Sequence, residues 1–282
     1  MINHFVKEAH PMKTNFLSTF INSMLSKIKG ALWKLWYQHL AKVYRRKDWK
    51  FMNYGYAPLD GSPEMMALEP VDAINRYCIQ LYHHVASAID LTGLEVLEVG
   101  SGRGGGTDYI KRYLKPKSLI GVDFAKDAVD FCNQNYAVEG LSFKVGDATA
   151  LPFPDNSFDA VINVESSHCY PSMEAFLGQV KRVLRNGGHF LFADLRNKEN
   201  IDDLREQLNK SGLKIVKETE ITPNVVHALK LDNEHRTTLI KEMIRKSMVK
   251  TFLKFAGTEN SDIHNRFKSG KTIYMSCIMQ KA

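Results

Sequence analysis

The chain is poor in the residues that lock small folds together. Its four cysteines, Cys78, Cys132, Cys169 and Cys277, show no C-x-x-C pairing. That spacing argues against a disulfide framework and a zinc knuckle, and reads as reduced thiols inside a cell. No internal repeat or low-complexity tract is present, which excludes a solenoid or a compositional linker. No apolar run reaches the ~20 residues of a membrane span. The start lacks a signal peptide's short apolar core and small-residue cleavage site, so the expected location is the cytoplasm. The balance of 38 basic against 31 acidic residues gives only +7. That permits an anionic surface as partner without demanding nucleic acid. One local absence is sharper: from Thr14 to Lys47 there is no acidic residue.

What is present is ordinary in bulk and specific in pattern. Hydrophobic content of 44% and charged content of 24% suit a globular chain, and 282 residues allow one large or two small domains. The organising stretch runs from Leu94 to Gly106. Leu94, Val96, Leu97 and Val99 form a short apolar run that predicts a buried strand. A glycine-dense turn follows, and Thr107–Leu114 predicts a helix. Strand, glycine turn and helix make a corner at which a ligand can approach the main chain closely. Gly100, Gly102 and Gly105 fit G-x-G-x-x-G, a weak signal alone. Asp123 ends the next apolar run, where a carboxylate could accept two hydrogen bonds from a ribose. Taken so far, the corner also fits a nicotinamide-dependent oxidoreductase.

Three further features bear on the choice. Glu98 stands two residues before the first glycine, Asp147 ends a third strand, and Ala148–Asp159 reads Ala-Thr-Ala-Leu-Pro-Phe-Pro-Asp-Asn-Ser-Phe-Asp. In order and spacing these pieces resemble class I S-adenosylmethionine (SAM)-dependent methyltransferases over roughly residues 94 to 196. The resemblance implies an α/β fold: a Rossmann-like, doubly wound, seven-stranded sheet with its last strand antiparallel. It implies SAM as cofactor, with Glu98, Gly100, Ser101 and Gly102 near its methionine and sugar portions. Asp123 and Phe124 would lie at the ribose, Gly146, Asp147 and Ala148 at the adenine, and Asn163 and Glu165 at the end of the fourth strand. Nucleic acid is not the expected substrate. Neither an Asn/Asp-Pro-Pro-Tyr/Phe motif nor a Pro-Cys nucleophile follows that strand, where the chain reads Asn163-Val-Glu-Ser-Ser-His168.

Around this core the sequence predicts accessory parts. Residues 1–60 divide into a basic amphipathic helix, carrying Leu17, Ile21, Met24, Ile28, Leu32 and Leu35 on one stripe, and an aromatic loop. The helix either packs on the domain as a cover or lies on an anionic membrane as a peripheral contact. In the loop, Tyr54 and Tyr56 flank Gly55 and could place rings near a sulfonium. Packing of the N-terminal cover is the plainer reading. Residues 61–222 would be the SAM-binding core, opening with a helix over Val71–Ile89 in which Arg76 could reach the cofactor carboxylate or make a surface ion pair. Residues 223–262 would be a helical cap insertion, with Leu239, Ile240, Met243, Ile244, Val249, Phe252 and Leu253 against Lys241, Arg245, Lys246, Lys250 and Lys254. Residues 263–282 would hold the final strand.

The segments Asn53-Tyr-Gly-Tyr56, Asn75–His83 and Asn163–Pro171 resemble a narrower group, the phthiotriol/phenolphthiotriol dimycocerosate methyltransferases, over roughly residues 49 to 196. That resemblance implies O-methylation of a hydrophobic small-molecule or lipid acceptor. A hydroxyl acceptor must lose a proton. His168 past the fourth strand and Asp194 at the end of the fifth fall on the same sheet edge and could form a base dyad. Pocket lining is the plainer role for both. His83, His84 and His189 lack a matching carboxylate, and no cluster of His, Asp and Glu argues for a metal. Carbon methylation of a sterol or quinone, and SAM binding at a membrane without turnover, stay open at this stage.

Overall fold

A computed structural model of the chain describes residues 49–60, 67–244 and 246–282. The amphipathic helix expected over Thr14–Lys47 and most of the 60–70 connector lie outside the described residues.

Two short helices open the described core, α1 (Pro70–Ala73) and α2 (Arg76–Ala86). The sequence reading has one helix there; the structure turns at Ile74–Asn75, and Asp72 in the first helix is buried and tied to Arg112 and Tyr113. Then come β1 (Glu95–Val99), α3 (Gly105–Tyr109) running into a wide turn at Ile110–Leu114, and β2 (Ser118–Asp123). They are followed by α4 (Lys126–Asn135), β3 (Leu141–Val145) and β4 (Phe158–Val164). Next are α5 (Met173–Val183), β5 (Leu184–Asn197), α6 (Ile201–Lys210) and β6 (Lys214–Glu220). Three helices follow, α7 (Thr222–Leu231), α8 (Asn233–Met243) and α9 (Lys246–Phe255). The described chain ends with α10 (Asp262–Lys268) and β7 (Thr272–Gln280). α10 falls in a stretch read only as leading to the last strand. Ser261 caps it by accepting from the His264 amide.

The seven strands form one sheet in the order β3-β2-β1-β4-β5-β7-β6. β7 inserts between β5 and β6 and runs antiparallel to both, as expected. The remaining pairings are parallel. Alternation of side chains across the strands feeds two cores. Leu97, Val99, Phe190, Phe192, Met275 and Cys277 pack under α5 and α6. Val96, Ala160, Ile162, Leu191, Ala193 and Tyr274 pack under α2, α3 and α7. This is the doubly wound arrangement, and it brings the carboxyl ends of β1, β2, β4 and β5 to one edge.

Candidate active site

At that edge, the turn after β1 is held from within. The amides of Gly100 and Ser101 donate to the Val122 carbonyl at 2.7 and 3.0 Å, and the Gly102 amide donates to Asp123 Oδ2 at 2.9 Å. Gly100 has φ +81°. A Cβ there would come within 2.3 Å of Ser166 Oγ and 2.7 Å of the Tyr170 hydroxyl, so only glycine fits. The 49–57 segment crosses above this turn. Arg103 Nε donates to the Trp49 carbonyl at 2.5 Å, and the Arg103 guanidinium lies 4.1 Å from the Phe131 ring centroid. A Cβ on Gly105 would meet the Lys50 carbonyl at 2.6 Å.

Two buried carboxylates, Asp123 and Glu98, border the turn, and half-buried Glu165 stands just past β4. Asp123 accepts from the Gly102 amide on Oδ2 and the Ala125 amide on Oδ1, each at 2.9 Å. Burial pushes its pKa up to about 6 against the pull of those amides. Glu98 accepts from the Tyr82 hydroxyl at 2.8 Å and from Thr107 Oγ1 at 2.5 Å, and burial raises it to about 7. Its satisfiers are hydroxyls of α2 and α3, so Glu98 clamps both helices to the turn. Glu165 sits at φ +51°, a conformation uncommon for a residue with a Cβ. Its Oε2 accepts from the Tyr54 amide at 2.9 Å and the Tyr274 hydroxyl at 2.8 Å, and burial raises it to about 7.

The remaining candidates divide. Asn163 is fully buried beneath the turn; its Nδ2 donates to the Val99 carbonyl at 2.8 Å and to Ser166 Oγ at 2.7 Å. Phe124 packs on Ala125 and Ala128 beside Asp123. Gly146 donates to the Asp123 carbonyl at 3.0 Å, Ala148 is buried, and exposed Asp147 accepts from the Thr149 amide at 2.8 Å. Tyr54 and Tyr56 part company. The Tyr54 backbone meets Glu165 at the sheet edge, whereas the Tyr56 ring stacks on His84 with centroids 4.5 Å apart. Arg76 opens α2, half-buried.

The His168–Asp194 juxtaposition is present. Asp194 ends the buried part of β5 and is 0% exposed. Its Oδ1 lies 2.7 Å from His168 Nδ1 and accepts from the Leu195 amide at 2.8 Å. Its Oδ2 accepts from the His168 amide at 2.8 Å and from Ser167 Oγ at 2.5 Å. Nδ1 is so engaged, the Cys169 side chain also lies within hydrogen-bond reach of the ring, and the His168 side chain is 31% exposed. Burial alone would lower the His168 pKa; the Asp194 carboxylate outweighs it and holds the ring well above its usual range. For Asp194 burial would raise the pKa, and His168 and Arg196 hold it far below the usual range instead.

Reading the sequence missed Ser167, Arg196, Tyr82, Thr107 and Tyr274. Arg196 was within reach, being two residues from Asp194 and so on the same strand face. Tyr274 was not, because only the pairing of β7 with β5 brings it to this edge.

A family profile described as a methyltransferase domain matches residues 97–192, the span of β1 to β5. The fatty-acid O-methyltransferase of Mycolicibacterium smegmatis is 42% identical over 196 residues, 70% of this chain and 71% of its own. This chain belongs to the SAM-dependent methyltransferases. The phthiotriol/phenolphthiotriol dimycocerosates methyltransferase of Mycobacterium tuberculosis H37Rv is 37% identical over 228 residues, 81% of this chain and 82% of that one. Among solved structures, Haemonchus contortus phosphoethanolamine N-methyltransferase 2 in complex with SAM superposes with a TM-score of 0.62 at 16% identity. It covers 71% of this chain and 51% of that one, a likeness of fold.

SAM is the cofactor of this methyltransferase, and the residues at the turn suit it. Ser101 Oγ is buried beside the glycines without a partner, and so is Asn163 Oδ1. A buried hydroxyl and amide oxygen left unpaired are costly unless a ligand pairs with them. Among the described residues, no helix is long and apolar enough to cross a membrane.

Proposed function

We propose that this methyltransferase moves the methyl group of SAM to a hydroxyl of a long-chain, lipid-like acceptor, with His168 as general base. The observation that carries the reading is the 2.7 Å contact of His168 Nδ1 with a fully buried Asp194, which leaves Nε2 to the acceptor side. The bound cofactor supplies a methyl group activated on a sulfonium. The chain does the rest. Gly100, Ser101, Gly102, Asp123 and Phe124 would hold the donor's sugar and methionine portions, with Asn163 beneath and Glu98 bracing the turn from behind. Gly146, Asp147 and Ala148 border the base, while Tyr54 and Glu165 close the side facing β7. His168 Nε2 would take the proton of the acceptor hydroxyl as that oxygen becomes the nucleophile. Such help is worth about 10² to 10⁴ in rate.

The names of the relatives support a lipid acceptor, and they also frame the test. A hydroxyl needs a base, whereas a fatty-acid carboxylate arrives already deprotonated. Long-chain alcohols and fatty acids are offered with labelled SAM to the native enzyme and to His168→Ala. The expected result is a loss of about 10²-fold or more on the alcohol, with SAM affinity unchanged. Full turnover of the alcohol by His168→Ala would overturn the base assignment.

The helices α7 to α9 support a second element, peripheral contact with an anionic membrane. They carry Lys230, Lys241, Lys246 and Lys250, while Ile244 and Phe252 pack inward with Trp49. Each lysine near such a surface contributes about 1 kcal/mol.

A further inference from the structure

Asp194 is saturated with donors. Besides His168, Leu195 and Ser167, its Oδ2 lies 3.2 Å from Arg196 Nη1. Arg196 Nη2 also donates to Ser167 Oγ at 2.9 Å, the same hydroxyl that donates to Asp194. The Arg196 side chain is only 15% exposed, so its charge is little screened. The carboxylate is therefore shared: imidazole on one oxygen, guanidinium and hydroxyl on the other.

We propose that Arg196 is a positioning residue that sets the basicity of His168 through Asp194. This rests on His168 being the base. A buried carboxylate facing an imidazole alone would keep the ring protonated, and a protonated ring cannot accept the acceptor's proton. A guanidinium behind the same carboxylate takes up part of its negative charge and disfavours the imidazolium. The other ionisable groups facing the ring do not oppose protonation. Glu165, from β4, favours the imidazolium, and Cys169 adjoins it. Tyr54 and Tyr274 act on Glu165 through the amide and the hydroxyl they donate to it. Arg196, 3.2 Å from Asp194 Oδ2, is the counterweight in this proposal; burial also opposes protonation, and the Asp194 carboxylate still holds His168 above its usual range. The donors around Asp194 also exclude relay of the proton onto the carboxylate, so the proton must leave through Nε2.

The test reads the ring and the reaction separately. The His168 pKa is followed by NMR in histidine-labelled protein, with the resonance assigned by its loss in His168→Gln. The same titration is run on Arg196→Met and Arg196→Lys, and kcat/KM for a hydroxyl acceptor is measured against pH. Arg196→Met raises the pKa of the ring and moves the ascending limb of the rate profile to higher pH. At neutral pH its turnover falls roughly tenfold for each unit of displacement, and it recovers towards the native plateau at alkaline pH. Arg196→Lys keeps the charge and stays near the native profile. An unmoved His168 resonance titration in folded Arg196→Met overturns the proposal. A moved titration with an unmoved rate profile leaves the tuning standing and overturns the base assignment instead. Should Arg196→Met fail to fold, Ser167→Ala, which deletes the hydroxyl between Arg196 and Asp194, must raise the same pKa; no movement there overturns the proposal as well.

Discussion

Asp123 is proposed to do two jobs with one carboxylate. Its two oxygens fix the Gly102 and Ala125 amides, and the outward lone pairs stay available to a ribose. Asp123→Ala therefore should loosen the turn and remove the ribose partner together. SAM binding by calorimetry is expected to weaken by 2 kcal/mol or more, roughly 30-fold. Unchanged affinity in a folded variant would refute that placement. Gly100→Ala tests the turn from the other side. Its Cβ would overlap Ser166 Oγ at a positive φ, so SAM binding should be lost even where the circular dichroism of the fold survives. At His168 and Asp194, Asp194→Asn should lower turnover in the same direction as His168→Ala, because an amide no longer fixes the tautomer of the ring. SAM affinity should stay put in both.

Elements meet at the sheet edge through a few buried polar links. Glu165 at the end of β4 holds the Tyr54 amide of the aromatic segment and the Tyr274 hydroxyl of β7 on one oxygen. Arg236 of α8 ties the cap to the same segment. It donates to Asp232 at 2.7 Å, to the Asn53 carbonyl at 3.1 Å and to the Ala256 carbonyl at 3.2 Å. Removing one partner of such a pair leaves the other charge and two carbonyls in a dry site. Arg236→Met should lower stability by about 3 kcal/mol in denaturant unfolding. It should also expose the 49–57 segment to limited proteolysis. A midpoint within error of native, with no new cleavage, would mean that the cap and the segment do not depend on this link.

Across the whole molecule, the ionisable groups with raised pKa values incline stability toward acid pH, against the pull of His84, whose pKa burial lowers to about 4. The pKa values of Glu98, Asp123 and Glu165 are raised to about 7, 6 and 7. A carboxyl that binds its proton more tightly folded than unfolded contributes less stability as pH rises from about 4 through those values. His168, also raised, adds stability below about 6.5 that is lost as pH climbs through its folded pKa. Asp194, lowered, acts oppositely, and its contribution disappears only as pH falls below about 4. The thermal midpoint of the cofactor-free protein should therefore be highest near pH 4 and fall from pH 5 toward pH 8. Glu98→Gln should flatten that slope. A flat or rising midpoint between those limits would contradict the burial of these groups. On vesicles, binding through the lysines of α7 to α9 should appear on anionic lipid, fail on neutral lipid and fade as salt screens charge beyond about 10 Å. Sedimentation insensitive to salt or to lipid charge would remove electrostatic membrane contact.

By itself the sequence determined the class of the fold and the kind of cofactor, because both are written in local pattern. Apolar runs with glycine and aspartate at their ends dictate strand, turn and helix within a few residues, and their order dictates a parallel sheet with ligands at its carboxyl edge. His168 and Asp194 could be paired in advance for the same reason: both lie at that edge. Only the tertiary structure decided what surrounds them. β7 arrives from the far end of the chain and carries Tyr274 to Glu165, 109 residues away. Helix α2 brings Tyr82 to Glu98, and the crossing of the 49–57 segment parts Tyr54 from Tyr56. Those contacts follow from which elements share a face after the sheet is assembled, and no period in the chain encodes them.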